Sequence, residues 1–148
     1  MFKQIAIMMR TASAVAAATL TITAGGAFTS TAAFADSCWN HNGSLMRIIP
    51  GGGGRRTIVY ERPRQVLRNA GVRSGTVLFT GRYNGSRYNG TARRFSKFCV
   101  GSPQTYGVAG PANNSRIVLR GSRDKNRRCQ NTGRIVRDRL VFTFSHAC

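Results

Sequence analysis

The chain reads as all-β, a small disulfide-stapled barrel or sandwich of about seven or eight short antiparallel strands with at most one short helix. Three observations predict this. Short runs of Val, Ile, Leu, Phe and Tyr alternate with polar residues at period two, the spacing that lines one face of a strand. Gly, Asn and Pro punctuate these runs at near-regular intervals. Four cysteines, Cys38, Cys99, Cys129 and Cys148, provide for two staples in a chain of 148 residues.

Taken in order, the first segment is not expected to belong to that fold. Lys3 and Arg10 form a short basic start, residues 11–28 are rich in Ala, Val, Leu, Ile and Thr, and Ala33-Phe34-Ala35 before Asp36 matches an A-x-A cleavage site. Residues 1–35 are therefore expected to be a cleaved export signal, leaving residues 36–148 as a single β domain. Ser13, Thr19, Thr21, Thr23, Gly25 and Gly26 dilute the apolar stretch, whereas a membrane anchor needs a run of about 20 strongly apolar residues. No second hydrophobic span follows, so the predicted location is periplasmic or secreted, with no transmembrane span after cleavage.

Trp39, between Cys38 and the Asn42-Gly43 turn, is expected to plug the core over a disulfide. A strand over residues 45–49 leads into Pro50 and four glycines. That linker lacks the Lys-Ser/Thr of a phosphate-binding loop and leads into a strand, not a helix. Residues 55–61 form the next strand, with Ile58 and Tyr60 on one face and Thr57, Val59 and Glu61 on the other. Pro63 opens a short helix over residues 63–70, closed by Gly71.

Residues 75–99 form the central ribbon. Val77, Phe79 and Tyr83 share one face; Leu78, Thr80 and Arg82 share the other. Asn84-Gly85 suits a tight type I′ turn, with Asn89-Gly90 as the alternative turn or a bulge, and residues 91–98 return. Strands are expected at 104–109, with Tyr106 and Val108 inward, and at 116–120. Residues 121–133 read as a long polar connection. Residues 134–136 and 140–146 close the fold around a turn at Arg137-Asp138-Arg139.

The cysteines admit three pairings, of which Cys38–Cys99 with Cys129–Cys148 is expected, because each would tie a terminus to a neighbouring strand. Their wide spacing excludes a zinc knuckle, and no metal or cofactor is expected. Within residues 36–148, 21 basic residues face four acids, a net charge of +17, and all the basic residues except Lys97 and Lys125 are arginines. Guanidinium forks match phosphate and carboxylate oxygens two at a time. The candidate polyanion-binding residues are Arg55, Arg56, Arg82, Arg87, Arg93, Arg94, Lys97, Arg123, Arg127 and Arg128, interleaved with Tyr60, Tyr83 and Tyr88. The expected partner is an anionic envelope component, lipid or glycan, or an acidic protein surface, with nucleic acid a further candidate. The competing reading is a structural envelope protein whose charge serves solubility alone.

Catalysis has little to stand on, and no catalytic residue is assigned. Asp36, Glu61, Asp124 and Asp138 all lie near arginines, a poor basis for a hydrolytic carboxylate pair, and no G-x-S-x-G elbow occurs. The alternative is a small secreted hydrolase such as a ribonuclease. It would use His41 and His146 as acid and base, and would require the two ends of the domain to be adjacent.

The stretches SCWNHNGSLMR (37–47), GTVLF (75–79), GTARRFSKFC (90–99) and LVFTFSHAC (140–148) resemble a small exported bacterial module of unassigned activity. Such modules occur alone and at the C-terminal end of caspase-like peptidases. The resemblance implies an accessory recognition or stabilising role, and nothing of a caspase His/Cys pair carries over.

Overall fold

The structure, a computed structural model, describes residues 36–148; the expected export signal lies outside them. Eight strands follow one another around a closed barrel: β1 (Ser37–His41), β2 (Ser44–Pro50), β3 (Arg55–Arg62), β4 (Val77–Tyr83), β5 (Arg87–Arg94), β6 (Gln104–Pro111), β7 (Arg116–Arg127) and β8 (Gln130–Ala147). Each is antiparallel to its sequence neighbour, and β8 seals against β1. Closure leaves no edge strand in the barrel proper. A 3₁₀ turn (Gly52–Gly54) and a single helical turn α1 (Gln65–Arg68) are the helical elements among the described residues. No helix among the described residues is long and apolar enough to cross a membrane.

Inward-facing residues meet strand by strand. Trp39 faces Met46, which faces Tyr60; Ile48 faces Ile58, then Phe79, Ala92 and Tyr106 around the wall; Ile117 faces Phe142. All are buried. Eight strands leave an interior just wide enough for side chains to fill, and two glycines make room for the largest of them. Gly81 and Gly90 lie opposite each other, and a Cβ at either would come within 2.8 Å of the Phe79 ring. Trp39 is buried and meets Phe144 edge-on at 5.5 Å, the core-plug role its position predicts.

The structure corrects several local expectations. The disulfides are Cys38–Cys148 and Cys99–Cys129, not Cys38–Cys99 with Cys129–Cys148. The first staples β1 to the end of β8 across the closing seam; the second ties the tip of the β7–β8 hairpin to the segment after β5. Residues 121–133 are not a loop, and residues 137–139 are not a turn: β7 and β8 run as one long hairpin through both. The backbone ladder between β7 and β6 is confined to Gly121 and Arg120; farther along, Gln104 of β6 reaches the Asp124 carbonyl at 2.9 Å through its side chain. The hairpin's two-residue turn is Arg128-Cys129, with φ of 48° and 69°. Two non-glycine residues in the left-handed region are strained, and the Cys99 bridge holds one of them there.

The type I′ geometry expected at Asn84-Gly85 sits instead at Asn42-Gly43, where both φ are positive and His41 faces Ser44. Of the Asn84-Gly85 pair only Gly85 is left-handed. Asn84 Oδ1 accepts from the Ser86 and Arg87 amides, a wider turn, and Asn89-Gly90 lies inside β5 without a bulge. The return strand is Arg87–Arg94, not residues 91–98. Val59 pairs with Val77 while Ile58 pairs with Phe79, so Leu78 is the extra residue of a bulge. It joins Phe79 in the core, where strict alternation would place it outside.

Candidate anion site at the barrel mouth

One end of the barrel is open between two connections. The β3–β4 connection crosses it with α1, and the segment after β5 crosses opposite. Between them lies a cavity of about 460 Å³, lined by Arg64, Val66, Leu67 and Asn69 from the first connection and by Arg93, Arg94, Phe95 and Lys97 from the second. Its floor is the inward face of the barrel: His41, Tyr60, Leu78, Tyr106, Asp138 and Leu140.

Each side chain has a local reason for its place. Arg64 follows Pro63 out of β3, and its amide donates to Ser44 Oγ at 3.0 Å, a hydroxyl that is itself buried. Arg93 and Arg94 close β5, where the strand leaves the barrel wall. Tyr60 and Phe95 meet edge-on at 5.9 Å, linking the floor to the second connection. Burial pushes the Tyr60 hydroxyl up to about 12, against the nearby Arg64 charge, so it remains a neutral donor at physiological pH.

His41 is only 6 % exposed and stacks on Phe142 with ring centroids 4.6 Å apart. Its Nδ1 lies 2.8 Å from the Val141 carbonyl. A carbonyl can only accept, so Nδ1 carries the proton and Nε2 keeps a lone pair. Burial pushes the imidazole below its ordinary value; the Val141 bond opposes this and the Arg64 charge adds to it. His41 is neutral at pH 7.

The acids are all engaged. Arg123 Nε and Nη2 donate to Asp138 Oδ2 and Oδ1 at 2.6 and 3.2 Å. Burial pushes the Asp138 carboxyl up, but hydrogen bonds from Arg123 and Tyr106 and the charges of Arg123 and Arg94 outweigh it and hold the carboxyl low. Arg47 bridges Asp36 at 3.6 Å and Glu61 at 2.9 Å. Asp124 accepts from the Thr132 and Gly133 amides in the distal hairpin. Asp138 is thus the one carboxylate among the described residues lining the mouth, and it is neutralised. Arg64, Arg93, Arg94 and Lys97 have no carboxylate at ion-pair distance among the described residues.

The predicted basic residues fall into two groups at opposite ends of the barrel. Arg93, Arg94 and Lys97 line the mouth, and Arg94 also lines an adjoining cleft with Arg127 and Arg128 at the hairpin tip. Arg123 belongs to this end, but Asp138 occupies its guanidinium, and its side chain is 9 % exposed. Arg55, Arg56, Arg82 and Arg87 lie at the far end. There Arg55 and Arg82 donate to the Gly52 and Gly53 carbonyls at 3.2 and 3.1 Å. Arg56 lies over the Tyr83 ring at 5.6 Å, and Arg87 faces Pro111 across β5 and β6. The far end also holds a cleft lined by Trp39, Tyr83, Tyr88 and Phe144.

Arg64 is not among the residues predicted from sequence; the signal for it is Pro63, after which the chain leaves β3 for the mouth. His146 faces Cys38 across the β1–β8 seam and lines a different cleft from His41. The two histidines do not share a site. No three His, Cys, Asp or Glu side chains among the described residues gather as metal ligands would. Comparison with protein-family models finds no match, and no curated protein or solved structure matches the chain.

Proposed function

We propose that this chain is an exported binding module, periplasmic or secreted, that engages an anionic partner through its arginine-rich surface without chemistry of its own. The observation that carries the reading is the mouth: four cations converge on a cavity whose single carboxylate is already paired. The mouth therefore presents uncompensated positive charge to an anionic partner, and the adjoining Arg127 and Arg128 extend the basic surface along the distal hairpin. Two disulfides support an oxidising compartment, where envelope lipids and glycans are the accessible polyanions and nucleic acid is a further one. The resemblance to an accessory module agrees with this assignment.

The test is a salt titration of the oxidised protein against lipopolysaccharide, single-stranded DNA and a neutral glycan. Polyanion binding should weaken steeply as salt rises, and an Arg94→Ala, Lys97→Ala double variant should flatten that slope by about two phosphate equivalents. An Arg55→Ala, Arg82→Ala variant at the far end should leave it nearly unchanged. Binding that ignores salt, or that ignores the mouth variant, contradicts the proposal.

A further inference from the structure

We infer that the barrel mouth takes a phosphomonoester carried on a flat heterocycle, that is, a mononucleotide. The inference rests on the reading of the mouth as an anion site and adds the ligand's class.

The phosphate requirement comes from charge and from one orphaned donor. Arg93 lines the cavity, and its Nη1 is buried with no hydrogen-bond partner among the described residues. A buried guanidinium nitrogen left without an acceptor is costly, and such groups in folded proteins have partners supplied from somewhere. Because Arg93 lines the cavity, a small turn of its side chain would offer this nitrogen to a ligand oxygen there. Arg64, Arg94 and Lys97 stand around the same space, and the paired Asp138 contributes little net charge. A carboxylate brings one negative charge to four cations; a phosphomonoester brings about one and a half to two at neutral pH, with three acceptor oxygens.

The ring requirement comes from the rest of the lining. Leu67, Leu78 and Leu140 give an apolar wall, and the edge-on Tyr60–Phe95 pair adds flat surface. Set into that wall are groups able to read the edge of a heterocycle. His41 Nε2 is an acceptor because Nδ1 is committed to Val141. Asn69 Oδ1 is committed to Gln65, which leaves its amide N–H groups as donors. A volume of about 460 Å³ falls within the size of small-molecule sites, roughly 300–1,000 Å³. A plain anion would use the cations and leave the acceptor, donor and apolar wall idle.

Isothermal titration calorimetry on the oxidised protein tests this with four probes: adenosine 5′-monophosphate, adenosine, inorganic phosphate and glucose 1-phosphate. The nucleotide should bind at least about tenfold tighter than each of the other three. Arg93→Met should weaken nucleotide and phosphate alike by about tenfold or more, the loss of a charge-assisted hydrogen bond. Phe95→Leu, a half-buried position, should weaken the nucleotide and leave phosphate unchanged; near-ultraviolet circular dichroism of both variants reports the fold. A nucleotide no tighter than inorganic phosphate overturns the inference, as does glucose 1-phosphate binding equally well. If the mononucleotide fails while polyanions still bind through the mouth, the inference falls and the proposed function stands. If neither binds, both fall.

Discussion

Replacing Asp138 with asparagine tests how the mouth is held together while its other cations stay unpaired. The Asp138 carboxylate holds Arg123 through two contacts of 2.6 and 3.2 Å, and the two side chains are 23 % and 9 % exposed. Removing one partner of a fully buried pair costs about 3–5 kcal/mol, because the remaining charge is left uncompensated. Here the carboxylate is nearly a quarter exposed, so water can reach the site. The loss should fall to about 2–3 kcal/mol, the range of a charged hydrogen bond. For a domain of this size that lowers the melting temperature by roughly 10 °C.

The pH dependence has a definite sign. The Asp138 pKa is depressed in the folded state, so its stabilisation is present above the unfolded value near 4 and is lost as pH falls through the folded value. Urea unfolding of wild type and Asp138→Asn from pH 8 to pH 3 should show a constant gap that narrows only below about pH 4. Other titrating groups cancel in that difference. A variant within about 0.5 kcal/mol of wild type refutes the reasoning, as does a gap that persists in acid.

Three further outcomes are expected. His41 has a depressed pKa, so the unfolded chain binds its proton first and stability declines as pH falls below about 6.5; His41→Gln should flatten the urea stability profile between pH 7.5 and 5.5. Removing Cys99–Cys129, which spans 30 residues, should cost about 3–4 kcal/mol in guanidinium unfolding. Removing Cys38–Cys148, which spans 110, should cost about 4–5 kcal/mol, so the ordering of the two serine double variants checks the loop argument. A Cβ on Gly110 would sit 1.8 Å from the Val118 carbonyl oxygen, so Gly110→Ala should destabilise by about 2 kcal/mol or more. Gly107→Ala, which meets nothing within 4 Å, should be nearly neutral by thermal melting.

The barrel was legible where one dry face shows as period-two alternation, and β1 (Ser37–His41), whose adjacent Cys38 and Trp39 are both buried, was not read as a strand. Ile58 and Tyr60, Tyr106 and Val108, and Ile117 and Leu119 keep period two because their shared face packs into the barrel interior, and all six are buried. The distal half of the β7–β8 hairpin was not legible, since beyond Gly121 its backbone ladder to β6 ends and its half-buried positions are held by charged and polar residues such as Arg123 and Asp138, which removes the apolar alternation that marks a strand. Its turn carries Arg128-Cys129 in place of an Asn-Gly pair, so no turn signal marks it either. The disulfide pairing depends on which strands close the seam, and β1 meets β8 only after every intervening strand has curled in the same sense.

For the site, composition supplied the charge but not its arrangement. Arg93, Arg94 and Lys97 were visible as a cluster because they are close in sequence. Arg64 joins them only through closure of the barrel, and Arg123 leaves the set because register places Asp138 in a strand opposite Gly121, within reach of the Arg123 guanidinium, rather than in a turn. His41 and His146 looked alike as candidates. One faces inward beside Phe142 and the other faces out beside Cys38, a difference fixed by alternation along β1 and β8.

Amide chemical-shift mapping of the oxidised protein titrated with inorganic phosphate bears most directly on the central claim. Perturbations confined to Arg64, Arg93, Arg94, Lys97 and their neighbours, abolished by 0.5 M salt, are the predicted result. Shifts spread evenly over both ends of the barrel, or centred on Arg55, Arg56 and Arg82, would show that the mouth is not a recognition site and contradict the account.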